Sequence, residues 1–260
     1  CSFKGLTSKL EMDFKGKSEK GTNFVIPVRY EQESKDTKFV KFKSKDTINT
    51  TVSTQSVIIK GMNIRMDVEV TEDCEMSIIF DEKNGDILRG NGAGNLQIAS
   101  LRDNTFTIKG NYEINSGQYL FTLLNFVNKP FKIKKGGTIN WTGDPLNADI
   151  DLEASYEGIN ISPSSLIEEY LASNPTLADR AKERTKVDMS MLLKGSLLQP
   201  DINFKLGFPD LNGPLRNIVD TKVRFLEKNP EQMNQQVASL ILFRTFINSN
   251  SNLGLQSGFQ

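Results

Sequence analysis

Apolar and polar side chains alternate one for one through most of residues 3–156. Met62, Ile64, Met66, Val68 and Val70 are apolar, while Asn63, Arg65, Asp67 and Glu69 between them are polar. Cys74, Met76, Ile78 and Phe80 repeat the pattern, as do Phe106 with Ile108 and Tyr112 with Ile114. Ala148, Ile150, Leu152, Ala154 and Tyr156 alternate with Asp149, Asp151, Glu153 and Ser155. Successive side chains of a strand point to opposite faces, so each run specifies a strand that is dry on one face and wet on the other. Residues 187–193 and 202–208 add two more such runs. Asn84-Gly85-Asp86, Gly90-Asn91-Gly92, Gly110-Asn111, Asn115-Ser116-Gly117, Gly136-Gly137 and Gly143-Asp144-Pro145 read as turns between strands. The expected fold is mainly β: a long antiparallel sheet of about fifteen short strands.

That many dry faces must be buried somewhere. A sandwich or a closed barrel would bury them internally; a single curled sheet would enclose an elongated apolar groove. At ~4.8 Å per strand, about fifteen strands in order would span roughly 70 Å. Alternation alone does not tell a packed core from a groove, and on the pattern alone the ordinary packed core is favoured. For the groove, the candidate lining is Met62, Ile64, Met66, Val68, Val70, Cys74, Met76, Ile78, Phe80, Phe106, Ile108, Ile150 and Leu152. Trp141, beside Gly143-Asp144-Pro145, reads as a structural plug near a turn.

Helices are expected late in the chain. Ser162-Pro163, Asn174-Pro175 and Asn229-Pro230 each place an N-cap residue before a proline suited to the first helical position. Another helix should follow Gly213-Pro214, with Leu215, Ile218, Val219, Val223 and Leu226 on one stripe. The last helix carries Met233, Val237, Leu240 and Ile241, then turns apolar all round through Leu242, Phe243, Phe246 and Ile247, as a buried or partner-docked helix would. Met233, Val237, Leu240, Ile241, Phe243 and Phe246 are therefore the partner-docking candidates. The organisation expected is a strand segment over 1–60, a sheet domain over 61–208 with a helical insertion near 162–184, helices over 209–247, and a flexible tail over 248–260.

Composition removes whole classes of chemistry. Histidine is absent, so histidine triads, histidine metal sites and the commonest general base are impossible. Two cysteines, Cys1 and Cys74, cannot build a cysteine-rich zinc site. Asp149, Asp151 and Glu153 share the wet face of one strand instead of converging on a cation. Glu168-Glu169 and Asp81-Glu82 have no catalytic spacing, and Gly90-Asn-Gly-Ala-Gly94 lacks the Lys-Ser/Thr of a phosphate loop. No enzyme, cofactor or metal is expected. Lys+Arg and Asp+Glu balance at 32 each, which gives no footprint for nucleic acid. The basic clusters at 38–43 and 132–135 alternate with apolar residues and read as wet strand faces. No apolar run reaches the ~18 residues of a membrane-spanning helix. The chain starts at Cys1, which suggests either a piece of a longer protein or a lipoprotein acylated on that cysteine.

Several segments carry a resemblance. They are Gly85-Asp-Ile-Leu-Arg-Gly-Asn-Gly-Ala-Gly-Asn-Leu96, Phe106-Thr-Ile-Lys-Gly-Asn-Tyr-Glu-Ile-Asn-Ser-Gly-Gln-Tyr-Leu-Phe121, and Phe131-Lys-Ile-Lys-Lys-Gly-Gly-Thr-Ile-Asn-Trp-Thr-Gly-Asp-Pro145 running into Ala148-Asp-Ile-Asp-Leu-Glu-Ala154. Leu193-Lys-Gly-Ser-Leu-Leu-Gln-Pro-Asp-Ile-Asn-Phe204 and Asn234-Gln-Gln-Val-Ala-Ser-Leu-Ile-Leu242 extend it. In this order and spacing, over residues 60–247 and in Asn23-Phe-Val-Ile-Pro27, the chain resembles the C-terminal domain of the TamB family, the translocation and assembly module of diderm bacteria, in a Bacteroidota-like form. The family is similar to the AsmA-like, bridge-type lipid transfer proteins.

The resemblance implies a periplasmic, outer-membrane-proximal location and a parent protein anchored in the inner membrane. It implies a curled sheet whose apolar groove shields phospholipid acyl chains. It also implies an Omp85-type, TamA-like outer-membrane barrel as partner, in Bacteroidota often a lipoprotein. The leading expectation is a segment of a lipid conduit. The alternatives are an outer-membrane-protein assembly factor that offers its sheet edge to client strands, or a passive β-scaffold.

Overall fold

The computed structural model describes residues 2–4, 10–27, 63–81, 85–103, 105–123, 127–172 and 174–248. Among these residues twelve strands form one sheet. They are β1 (Ser2–Lys4), β2 (Glu11–Lys17), β3 (Asn23–Pro27), β4 (Asn63–Val70), β5 (Glu75–Asp81), β6 (Asp86–Ser100), β7 (Phe106–Leu123), β8 (Val127–Ile133), β9 (Gly137–Gly143), β10 (Ala148–Ile161), β11 (Thr185–Ser196) and β12 (Asp201–Gly207). Four helices come late: α1 (Glu168–Leu171), α2 (Pro175–Lys182), α3 (Gly213–Glu227) and α4 (Pro230–Phe243). This is the mainly β chain with C-terminal helices that the alternation predicts.

The spatial order is β1-β2-β4-β6-β7-β8-β10-β11-β12. β3, β5 and β9 continue the lines of β2, β4 and β8. β4 and β5 pair with successive halves of β6, and β9 and β8 pair with successive halves of β7. Most pairs are antiparallel, as expected. Two are not: β2 runs parallel to β4, and β3 runs parallel to β5. The parallel step is possible because the connection between β3 and β4 is long; a parallel neighbour cannot be reached by a hairpin.

Directly paired residues share a face, so the apolar positions line up in rungs across the sheet. One rung runs Phe24, Met76, Gly90, Gly117, Ile133, Ala154, Met191, Phe204 from β3 to β12. A second runs Val68, Leu96, Gly110, Trp141, Ala148. The sheet curls around this face. Phe121 of β7 and Phe204 of β12 stand four strand steps apart, roughly 19 Å on a flat sheet, yet their ring centroids are 6.4 Å apart. The small residues Gly90 and Gly117 in the middle of the first rung let β6 and β7 approach closely: a Cβ on Gly117 would come within 2.8 Å of the Gly90 Cα, and one on Gly90 within 3.1 Å of Ile114. Phe131, stacked edge-on with Phe121 and tilted against Tyr156, is fully buried under the curl.

Three of the glycine sites read as turns lie inside strands. Gly90-Asn91-Gly92 is in β6; Gly110-Asn111 and Asn115-Ser116-Gly117 are in β7. The reason is close backbone approach. A Cβ on Gly92 would overlap the Glu113 carbonyl and come within 2.9 Å of the Tyr112 ring, and one on Gly94 would overlap the Asn111 carbonyl. Between Asn91 and Gly92 the β6/β7 register slips by one residue, a β-bulge. The Gly85, Gly136 and Gly143-Asp144-Pro145 sites do border turns; Asp144 accepts from the Leu146 amide at 2.9 Å.

The bulge belongs to a line of breaks that crosses the sheet. β2 breaks into β3 at Ser18, which hydrogen-bonds Thr71 at the break between β4 and β5. Glu75, just beyond that break, faces Asn91 at the bulge. Across β7 the Gly136 amide, in the break between β8 and β9, donates to the Ile114 carbonyl. Five neighbouring strand lines are therefore creased at one level, and bulges bend strands and increase their twist.

The helices close the β12 end. Asn174 caps α2 by accepting from the Leu177 amide at 3.2 Å. Asn229 does not cap α4 with its side chain; its Nδ2 donates to the Phe225 carbonyl at 2.6 Å and finishes α3 instead. α4 ends at Phe243 because Arg244 adopts a left-handed conformation, φ 55°. Phe246 and Ile247 therefore lie beyond the helix. Gln236 clamps Ile247 through both amide atoms, Ser239 holds Thr245, and Phe246 stacks 5.8 Å from Phe208.

Candidate functional site

The candidate groove lining falls into two groups. Val70, Cys74, Met76, Ile78, Ile108, Ile150 and Leu152 are buried. They sit on the inner face and belong to one buried apolar cluster. Ile64, Met66, Val68 and Phe80 are half-buried, and Phe106 is 49% exposed. Met62 and the basic cluster at 38–43 lie outside the described residues.

Ile64, Met66, Val68 and Phe106 gather on one strip, while Phe80 stands apart on β5, its ring 6.0 Å from that of Tyr119. Met66 pairs with Ile98 and Ile98 with Ile108; Ile64 pairs with Ser100, which faces Phe106. On the other side of β4, Met12 and Phe14 of β2 face Ile64 and Met66. Both are half-buried, as is Ile98. These three lining residues were missed in the sequence, although Glu11-Met-Asp-Phe-Lys15 carries the same alternation. The apolar face is thus continuous. It is closed at Val70, Met76 and Ile78 as it is over β8–β12, and half-open where Met12, Phe14, Ile64, Met66, Ile98 and Phe106 meet at one end of β2, β4, β6 and β7. A cleft of about 460 Å³ lies on the opposite, wet face, where Lys15, Asp67, Glu69, Asn95, Gln97 and Lys109 surround the backbone of Gly16, Val68, Leu96 and Gly110.

Among the described residues the two rungs traced above carry no charged side chain, although Asp86 brings a carboxylate beside the buried Tyr119. Burial pushes the Cys74 thiol up, against opposing hydrogen bonds from Ser18 and the Phe24 backbone. Burial also raises the phenols of Tyr112 and Tyr119, with Cys74 and Glu75 near the first and Asp86 beside the second. The Tyr112 hydroxyl donates to the Gly90 carbonyl at 3.1 Å. The Trp141 indole donates to the Pro145 carbonyl at 3.1 Å and is buried, which fits a plug at that turn. The wet face carries exposed ion pairs such as Lys134–Glu153 at 2.6 Å and Lys194–Asp151 at 2.9 Å. Hydrogen bonding from Lys134 holds the Glu153 carboxyl below its usual range. Among the described residues no group of three His, Cys, Asp or Glu could hold a metal ion.

Of the docking candidates, Met233, Val237, Leu240, Ile241 and Phe246 are buried inside this chain, against α3 and β12. Phe243, 60% exposed, is the one on the surface.

This curled sheet, dry on one continuous face and capped by helices, has a counterpart among known families. The model of the TamB C-terminal domain matches residues 1–260, the whole chain. The chain belongs to the TamB family. Its family is one of non-catalytic proteins with a general role in lipid transport and outer-membrane biogenesis in the periplasm, and phospholipid and Omp85-type barrels are the family's general partners. No curated protein matches the chain. Among the described residues, no helix of this TamB domain is long and apolar enough to cross a membrane.

Proposed function

We propose that this TamB domain is the outer-membrane-proximal segment of a phospholipid conduit, with acyl chains held against the inner face of the curled sheet. The observation that carries the reading is the gradient along that face: rungs of apolar side chains without a charge, closed at the β12 end and half-open on the β2–β4–β6 strip. An acyl chain of about 16 carbons gains roughly 12 kcal/mol on leaving water, at ~0.8 kcal/mol per CH₂. Neighbouring rungs offer similar apolar surroundings, so movement from one to the next changes that energy little. In this reading lipid enters along the open strip, from further strands of a parent protein anchored in the inner membrane. The capped end faces an Omp85-type barrel.

Native mass spectrometry of the purified chain, with lipid extraction of the same sample, tests the proposal. Co-purifying phospholipid that is lost in Ile64→Asp/Met66→Asp is expected. A folded wild type free of lipid, before and after incubation with phospholipid vesicles, would sink it. The assembly-factor reading needs a sheet edge instead of a dry face, and it predicts that barrel or client binding survives Ile64→Asp/Met66→Asp.

A further inference from the structure

The sheet divides between β8 and β10. β8 pairs with β7 along its whole length, Val127–Ile133, but with β10 only where Ile133 and Lys132 face Ala154 and Ser155. From there residues 156–161 of β10 continue with β11 alone. Beyond Ser155 the two strands diverge as a fork, and each shows the other an edge that no strand fills among the described residues. Lys132 and Glu157 meet at the apex, 3.8 Å apart. On the wet side the apex is hollow, with about 440 Å³ between Gln118, Pro130, Lys132, Ser155 and Glu157.

Two hydrogen bonds fix which backbone groups face the fork. The Glu153 carbonyl accepts from the Lys134 amide at 2.8 Å, so Ser155 and Glu157 on β10 turn N–H and C=O toward β8, as Asn128, Pro130 and Lys132 on β8 do toward β10. The Ala148 carbonyl accepts from the Leu197 amide at 2.8 Å, so the odd-numbered residues of β11 bond β10. Gly158, φ 79°, sits in the bulge between Tyr156 and Ile159; past it Ile159 and Ile161 face Val187 and Thr185, and Asn160 turns to the fork. The β8 edge is blunted. Pro130 has no N–H, and Lys129, paired with the inward Phe121, puts a charge on the inner face, two devices that keep an edge from pairing. The β10 edge carries neither device. Its inner residues Tyr156, Ile159 and Ile161 are apolar and buried, and its outer residues Glu157 and Asn160 are polar and exposed.

The chain itself returns to this edge. After α4 the Arg244 guanidinium donates to the Gly158 carbonyl at 3.2 Å, and Gln236 holds Ile247. Residues 249–260 lie outside the described residues, but their sequence keeps the alternation of the sheet. Leu253, Leu255 and Phe259 are apolar in step, with Gly254, Gln256, Gly258 and Gln260 between them; Ser257 is the one polar residue in that phase. Glycines at this density do not exclude a strand here, since β6 runs through Gly90, Gly92 and Gly94. From Asn248 to Leu253 the chain extends up to about 17 Å, which brings the β10 edge within reach. We propose that residues 253–259 pair with β10 at Glu157 and Asn160 and close the fork as an added strand, with Leu253, Leu255 and Phe259 on the inner face. The inference stands apart from the conduit reading, because the edge asks for a strand whatever the inner face holds.

Amide hydrogen exchange and NOE spectroscopy on the intact chain test it. Protected amides at Glu157 and Asn160 are expected, with cross-strand NOEs from them to residues 253–259. Leu255→Pro/Gln256→Pro removes two adjacent donors and should speed exchange at both amides at least about tenfold. Ser249→Pro/Asn250→Pro, ahead of the strand, should leave them protected. Exchange at Met191, in the paired body of β11, should be equal in all three chains and so report an intact fold. Rapid exchange at Glu157 and Asn160 in the wild type overturns the proposal, as does protection that survives Leu255→Pro/Gln256→Pro. NOEs from the tail to Asn203 would place it on the outer edge of β12 instead. Protection that grows with protein concentration would give the fork to a second copy. Either result overturns the proposal as well.

Discussion

Gly92→Ala should destabilise the domain far more than a methyl group ordinarily does. The new Cβ would overlap the Glu113 carbonyl of the neighbouring strand and meet the Tyr112 ring at 2.9 Å. Backbone cannot swing aside as a long side chain can, so β6 and β7 must separate at the bulge. Overpacking of this kind costs ~1–3 kcal/mol. The displaced ring also strains the bond from Tyr112 to the Gly90 carbonyl, a further ~1 kcal/mol. The total is about 2–4 kcal/mol, or roughly 5–15 °C in Tm for a domain of this size. Gly16→Ala supplies the control. It sits in a strand with nothing within 4 Å of its new methyl group, so it should be neutral or stabilise by up to ~1 kcal/mol through reduced unfolded-state entropy. Urea unfolding at fixed pH, with the slope compared between variants, measures both. Equal midpoints for Gly92→Ala and Gly16→Ala would refute the close-approach account and return the Gly90–Gly94 run to the role of a turn.

Other perturbations separate roles that overlap in the fold. Phe246→Ala removes a buried aromatic stacked on Phe208 and should cost ~3–5 kcal/mol. Phe243→Ala, on the surface, should stay within ~0.5 kcal/mol, so a pull-down with the barrel partner that fails for Phe243→Ala alone would report docking and not folding. Glu169→Gln strips the carboxylate 2.5 Å from the buried Lys222 ammonium; chemical denaturation should register a loss of ~2–4 kcal/mol, while Lys222→Met should be nearly neutral. The Tyr112 and Tyr119 phenols are held above their ordinary value of 10.0 by burial. The unfolded chain then releases these protons first, so stability present below pH 10 declines as pH rises above it. Tyr112→Phe should flatten that alkaline decline, read as Tm against pH; an unchanged slope would contradict the burial.

Much of this architecture was legible because burial leaves a local trace. Alternation in residues 62–80 and 148–156 marks the inner face wherever a strand has one wet side, and proline after Asn174, Gly213 and Asn229 marks helix starts. What escaped has a common physical origin in partners distant along the chain. Glycine supplies freedom for a turn and absence of a side chain for close approach, and the letters do not distinguish the two; only the β7 backbone opposite Gly92 and Gly94 does. Parallel pairing of β2 with β4 depends on register between segments some fifty residues apart. The end of α4 was placed too late because Arg244, not a residue that favours positive φ, makes the stop. The groove list was recognisable as an apolar face, but its split into packed and open portions depends on which strands close over it.

The crease across β2 to β9 also sets a rule for growth. A strand added beyond β1 could extend the sheet by ordinary backbone pairing, but it would follow the bore only if it carried its own break at the level of Ser18, Thr71 and Gly92. An unbroken strand would run straight where its neighbours bend and would splay the wall. Lengthening such a sheet is therefore a matter of copying an interruption: what must recur from strand to strand is the position of the gap, while the residues on either side are free to vary in everything but polarity.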